Sequence, residues 1–168
     1  NEKEEIIYQG KFKDPTLPAD LPGDIYGHAL LNAEADMANA SYPVIVFSHG
    51  FSVSVALYSH ILEHYTSYGF VVLAIEHIEK FDPAYSELWA ASIDRPRDIK
   101  QLLDYAETLT TTGGEMAGLI DMKHVAVAGH SSGGYTTLAA GGAQYDLKAF
   151  NARCATLPKD DPLTFLCA

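Results

Sequence analysis

Apolar residues along this chain fall into short unbroken runs separated by stretches with helical spacing. Val44-Ile45-Val46-Phe47 is a continuous run rich in β-branched residues, the pattern of a strand buried on both faces. Phe70–Ile75 and Val125–Ala128 repeat it. Between the first two runs, Val55, Tyr58, Ile61, Leu62 and Tyr65 share one face of a helix. That helix is expected from a Ser52 or Ser54 cap to Tyr68, with Gly69 as its stop. Ile99, Leu102, Leu103, Ala106 and Leu109 recur at helical spacing and predict a second amphipathic helix, closed by Gly113-Gly114. Ser132–Ala143 supplies a third. Upstream, Ile6–Phe12 and Ile25–Leu31 read as short strands around an irregular segment 13–24 that carries Pro15, Pro18, Pro22 and Gly23. Asn32–Tyr42 and Glu76–Ile93 read as loops.

Strands that are apolar on both faces, alternating with helices, predict an α/β fold: a mostly parallel sheet wrapped by helices. Such sheets place their chemistry beyond the C-terminal ends of the strands. His49-Gly50 follows one predicted strand and Ser131 another, so the two converge.

Composition narrows the classes. A chain of 168 residues makes one domain with a substantial core, and 48% apolar with 20% charged residues describes a globular protein rather than a disordered one. A formal charge of −11 argues against nucleic acid or an anionic membrane as partner. No apolar stretch approaches the ~20 residues that span a bilayer. The opening residues do not show a signal-peptide pattern, and Asn1 in first place, rather than Met, sets the expectation of a processed or trimmed N-terminus. Cys154 and Cys167 can close one short disulfide loop, and Asn39-Ala40-Ser41 is a glycosylation sequon. Together these features set the expectation of a secreted protein.

Gly129-His130-Ser131-Ser132-Gly133 spells G-x-S-x-G directly after a predicted buried strand and before a helix. A serine hydroxyl needs an adjacent base and donors for a developing oxyanion before it attacks a carbonyl. Glycines on both sides let the chain turn sharply and expose Ser131 at a helix N-terminus, where negative charge is favoured. The Ser132 backbone N–H is the natural first oxyanion donor, and the Phe51 N–H, after His49-Gly50, is the expected second. A glycine-rich turn packed for close approach, or a phosphate-binding turn, is the bland alternative.

From about Tyr42 to Tyr145 the chain resembles an α/β-hydrolase. Within that superfamily it is similar to the branch that holds platelet-activating-factor acetylhydrolases, cutinase-like polyester hydrolases and dienelactone-hydrolase-like proteins. The matching pieces are Val44–Phe51, Tyr68–Val72, Arg95–Ile99 and Val127–Gly134. The resemblance implies that Ser131 is the nucleophile of a carboxylic-ester hydrolase working through an acyl-enzyme. It also implies that Phe51 and Ser132 N–H groups form the oxyanion hole, and that His49, Gly50 and His130 are site neighbours rather than bases. No metal and no organic cofactor is implied. Two departures, Ser132 after the nucleophile and Ser52-Val53-Ser54 in place of a Gly-containing turn, bear on substrate preference more than on reaction type. Dienelactone hydrolase proper uses a cysteine nucleophile, so Ser131 argues for ester hydrolysis instead.

The family order is serine, then carboxylate, then histidine. All seven histidines (His28, His49, His60, His64, His77, His124 and His130) precede Ser131, and only Asp146, Asp160 and Asp161 follow it as carboxylates. Two explanations compete. The chain is the N-terminal portion of a longer or nicked enzyme whose C-terminal fragment carries the acid and base, or it is a non-catalytic binding protein on a degenerate scaffold. An intact Gly129–Gly134 run, and the apolar edge that half a sheet exposes, favour the first.

Other constellations compete for attention. His60-Ile61-Leu62-Glu63-His64 matches the inverted zincin pattern, with His60 and His64 one helical turn apart and Glu63 as base, but no third ligand is evident. Its placement also fits a solvated helix face. Glu76-His77 follows a strand, where His77 either lines the pocket or is satisfied by Glu79 or Asp82. Arg95 and Asp98 are expected to open the second amphipathic helix, as a polar tie supporting the site or as a helix-start carboxylate beside a solvated arginine. Phe81, Tyr85 and Trp89 either wall an apolar cleft or pack beneath a loop.

Overall fold

A computed structural model of the chain describes residues 4–10, 23–79 and 88–167. The expected end of the first strand at Lys11-Phe12, most of the proline-rich segment and the loop residues Phe81, Asp82, Pro83 and Tyr85 lie outside these. β1 (Glu5–Gln9) and β2 (Asp24–Leu30) form an antiparallel pair. β3 (Tyr42–Ser48), β4 (Val71–Ile75) and β5 (Ile120–Gly129) form a parallel sheet in the order β4-β3-β5. The helices are η1 (Val55–Tyr58) running into α1 (Ser59–Ser67), α2 (Leu88–Thr110), α3 (Ser132–Ala140), α4 (Leu147–Thr156) and η2 (Thr164–Cys167).

β3 is central, which explains its unbroken apolar run: Val44 to Phe47 are buried, with Val44 and Val46 at 0% exposure. Such a strand has neighbours on both edges and helices on both faces. Register matters more than burial for function. Ser48 pairs with Ile75 of β4 and with Gly129 of β5. His49-Gly50-Phe51 and His130-Ser131-Ser132 therefore leave the sheet side by side, tied at once by the His130 N–H donating to the Ser48 carbonyl at 3.2 Å.

Three expectations are corrected. Val125–Ala128 was expected to be buried on both faces. β5 is instead an edge strand, with Lys123 to Ala126 exposed, because among the described residues only β3 flanks it. The loop expected up to Ile93 ends earlier, as α2 begins at Leu88 and carries Pro96 inside it. Proline has no N–H to donate to the carbonyl four residues back; the Tyr135 hydroxyl takes over that Ser92 carbonyl at 3.1 Å, so the helix continues. The helix after Ser131 stops at Ala140 rather than Ala143. α4, which the hydrophobic pattern does not announce, starts on Asp146, whose side chain accepts from the Ala149 N–H at 2.9 Å. A disulfide joins Cys154 of α4 to Cys167 of η2.

Candidate active site

The turn between β5 and α3 is held in shape by sterics. A Cβ on Gly133 would collide with the Ser48 carbonyl, and one on Gly129 with the Gly133 carbonyl. With both positions bare, β5 can pass directly into α3, and Ser131 is driven into left-handed backbone with φ 54° and ψ −118°. That conformation is costly for a non-glycine residue and persists only where the surroundings impose it. Ser131 is exposed, at the N-cap of α3, and makes no side-chain capping bond. Ser132 is the first helical residue, so its N–H belongs to the group that has no intrahelical acceptor.

Ser131 and Ser132 open onto a cavity of about 620 Å³ whose other lining includes Phe51, Trp89, Tyr145 and Phe150. Trp89 meets Phe150 edge-on with ring centroids 6.1 Å apart, and Tyr135 stacks on Tyr145 at 5.4 Å. Trp89 thus lines the cleft, while the loop residues of the other reading lie outside the described residues. Burial and the Tyr135 hydroxyl push the Tyr145 phenol up to about 12, so it stays neutral and the wall stays uncharged at ordinary pH. A second groove, between α1 and the β1–β2 hairpin, contains no nucleophile at a strand end.

On the other side of Ser131 lies a buried polar network. His49 is fully buried. Its Nε2 accepts from the His77 backbone N–H at 2.9 Å, which leaves Nδ1 as the protonated nitrogen, facing the Gly50 carbonyl at 2.6 Å. His77 lies between the Asp98 carboxylate at 2.7 Å and the Ser48 hydroxyl at 2.9 Å. Of the two expected partners of His77, Glu79 is turned to Arg95 instead, and Asp82 lies outside the described residues. The Ser48–His77–Asp98 chain has the composition of a catalytic triad, yet Ser48 is 0% exposed and out of a substrate's reach. Burial is the main reason both imidazoles are held below the ordinary histidine value, reinforced by the Arg95 charge. Burial alone would raise Glu79, but the Arg95 guanidinium and the Ser52 N–H outweigh it and hold the carboxyl low.

His130 is exposed and turns Nδ1 to the Tyr58 hydroxyl at 2.9 Å; that hydroxyl also accepts from the Gly50 N–H at 3.1 Å. His49, Gly50 and His130 thus border the loop, with both His49 ring nitrogens engaged within it. Arg95 and Asp98 do not open α2. They lie well inside it, Arg95 buried on the stripe that carries Ala91 and Ile99. The signal for this was in the chain: Arg95 stands four residues before Ile99 on the apolar face, and an arginine there needs a buried partner.

The zincin-like pattern has a structural explanation. Glu63 accepts from the His28 and Ala29 N–H groups at 3.0 and 3.1 Å and from the Tyr8 hydroxyl at 2.9 Å, pinning the β1–β2 hairpin to α1. His60 and His64 are exposed, and no group of metal-ligating side chains occurs among the described residues. After Ser131, Asp146 and Asp161 accept backbone N–H groups at helix and turn starts. Asn39 is exposed and donates to Asp36 at 2.9 Å.

A parallel sheet whose strand ends gather a serine elbow and a His-Gly turn defines an α/β-hydrolase. The family model described as Chlorophyllase matches residues 16–161, and the chain belongs to that family. It is 33% identical over 111 residues to cutinase est1 of Thermobifida alba, covering 66% of this chain and 34% of the cutinase. Platelet-activating factor acetylhydrolase of Cavia porcellus is 27% identical over 139 residues, 58% of this chain and 31% of the relative. Among solved structures, a ferulic acid esterase from Streptomyces cinnamoneus superposes with a TM-score of 0.55 at 26% identity, over 67% of this chain and 36% of that one. The chain spans about a third of the length of the curated relatives it matches. Those relatives are ester hydrolases by name, and the resemblance noted from the residues holds over the same N-terminal portion.

Proposed function

We propose that the chain carries the nucleophile and oxyanion donors of a serine carboxylic-ester hydrolase. The observation that carries this reading is Ser131 itself, exposed at φ 54° between a strand and a helix and facing an aromatic-walled cavity. In the proposed reaction the Ser131 Oγ attacks the ester carbonyl while its proton passes to a histidine. The carbonyl oxygen takes the negative charge and is met by the Phe51 and Ser132 N–H groups. Collapse of the tetrahedral adduct breaks the bond to the alcohol oxygen, which leaves with the histidine's proton. Water then attacks the acyl-enzyme by the same route and restores Ser131.

The acid and base of the triad are proposed to come from a C-terminal portion of the same precursor. Two observations support this. His49 and His77 have their ring nitrogens engaged in the buried network. Among the described residues no strand pairs with the outer edge of β5, where Val125 is 40% exposed and a further strand would fit. The substrate class proposed is an ester with an apolar or aromatic group, matched to Trp89, Tyr145 and Phe150; names such as cutinase and ferulic acid esterase among the relatives are consistent with it. The Cys154–Cys167 disulfide and the exposed Asn39 sequon support export to an oxidising compartment.

Treatment of the full-length protein with a fluorophosphonate, followed by peptide mass spectrometry, tests the assignment. The expected result is one adduct on Ser131 and loss of esterase activity in Ser131→Ala. A folded protein that takes no label there would be a binding protein on a hydrolase scaffold.

A further inference from the structure

A buried guanidinium lies against the loop that leaves β3. Arg95 is 1% exposed, on the inner face of α2. A charge is kept in such a place only where hydrogen bonds and a counter-charge replace its water. Glu79 supplies the counter-charge through two parallel bonds, Nε to Oε1 and Nη2 to Oε2, the second at 2.8 Å. Arg95 also reaches backbone: Nη1 donates to the His49 carbonyl at 2.6 Å and Nη2 to the Gly50 carbonyl at 3.3 Å. Glu79 Oε2 in turn accepts from the Ser52 N–H at 3.1 Å. The pair grips the chain on both sides of Phe51.

Peptide geometry converts that grip into orientation. Across a trans peptide the carbonyl and the next N–H point in opposite directions, and the Gly50–Phe51 bond is trans. A Gly50 carbonyl turned towards Arg95 therefore sends the Phe51 N–H away from it. The preceding peptide obeys the same rule, its carbonyl on Arg95 and its Gly50 N–H on Tyr58. We propose that Arg95, anchored by Glu79, is a positioning residue that sets the direction of the Phe51 N–H without touching substrate. This rests on the reading of Phe51 as an oxyanion donor. A lysine cannot replace it, because a single ammonium does not reproduce the planar fork that reaches two carbonyls and a carboxylate at once.

The test compares full-length wild type with Arg95→Lys, Glu79→Gln and Ser131→Ala, each assayed well below its own melting midpoint. The readouts are kcat and KM on a p-nitrophenyl ester and the Ki of an aryl trifluoromethyl ketone, which forms an oxyanion on the serine. Arg95→Lys is expected to lower kcat by roughly 10- to 100-fold, within the range for loss of an oxyanion donor. KM should stay nearly unchanged, while the ketone weakens by the same factor as kcat. Glu79→Gln should move both in the same direction by less, and it decides the matter if Arg95→Lys does not fold. Unchanged kcat in the folded variants, or a ketone Ki that follows KM instead of kcat, overturns the positioning role. Esterase activity surviving in Ser131→Ala overturns the serine reading itself, a separate outcome.

Discussion

Two serines in this molecule occupy left-handed backbone at φ near +55°, and they do so for different reasons. Ser131, at φ 54°, is forced there by the contacts of Gly129 and Gly133, and the same contortion exposes its hydroxyl. Ser52, at φ 56°, gains nothing comparable: its hydroxyl is buried without a hydrogen-bond partner among the described residues. Left-handed backbone costs a residue with a Cβ about 1–2 kcal/mol, and an orphaned buried hydroxyl about 1–3 more. Glycine removes both at an unfolded-state entropy cost of about 0.5–1 kcal/mol. Ser52→Gly is therefore expected to stabilise the protein by about 1–4 kcal/mol, read as a higher urea midpoint at unchanged slope. A lower midpoint would mean that the Ser52 hydroxyl is bonded after all. The departure from a Gly-containing turn, visible in the sequence, thus becomes a local strain in the structure.

At the scale of elements, legibility followed packing. β3 was readable because a strand flanked on both edges and both faces must be apolar throughout, and Val44–Phe47 is. G-x-S-x-G was readable because its glycines answer a steric demand that any strand-to-helix elbow makes. α2 was misjudged at its start because Pro96 reads as a breaker and Arg95 as a surface residue. Both are reconciled by partners distant in sequence: Tyr135 for the Ser92 carbonyl and Glu79 for the guanidinium. α4 carries no readable stripe, because none of its residues is buried. The Tyr135 bond can be tested directly. Tyr135→Phe keeps the ring against Tyr145 but leaves the Ser92 carbonyl without its donor, and about 1 kcal/mol of stability should be lost. The loss should vanish in a Pro96→Ala background, where the helix regains its own N–H donor. A full loss in that background would assign the effect to ring packing.

For the molecule as a whole, the polar network behind Ser131 makes stability depend on pH. His49 and His77 are buried, and burial, before any other influence, holds both imidazoles below the ordinary value near 6.5. The groups facing them pull in both directions: Arg95 lowers both, while Asp98 and Glu79 raise His77 and Glu76 and the Gly50 carbonyl raise His49. The net direction is down for each. Below pH ~6.5 the unfolded chain therefore takes up protons that the folded protein refuses, and folding stability falls as pH drops. Each such histidine contributes up to about 1.4 kcal/mol per pH unit between its folded and unfolded values. Glu79, held low by Arg95, adds its own loss only further down, once pH falls below the ordinary carboxylate value. The expected profile is a plateau of melting temperature above neutrality and a decline that begins near pH 6.5. Replacing His77 by Gln removes one of the two protons while leaving His49 buried. The variant should be less stable at pH 8, with a shallower decline between pH 6.5 and 5, about half as steep if the two groups act alike. A melting temperature that stays flat from pH 8 to 5 in the wild type would rule out neutral, proton-refusing histidines in this network.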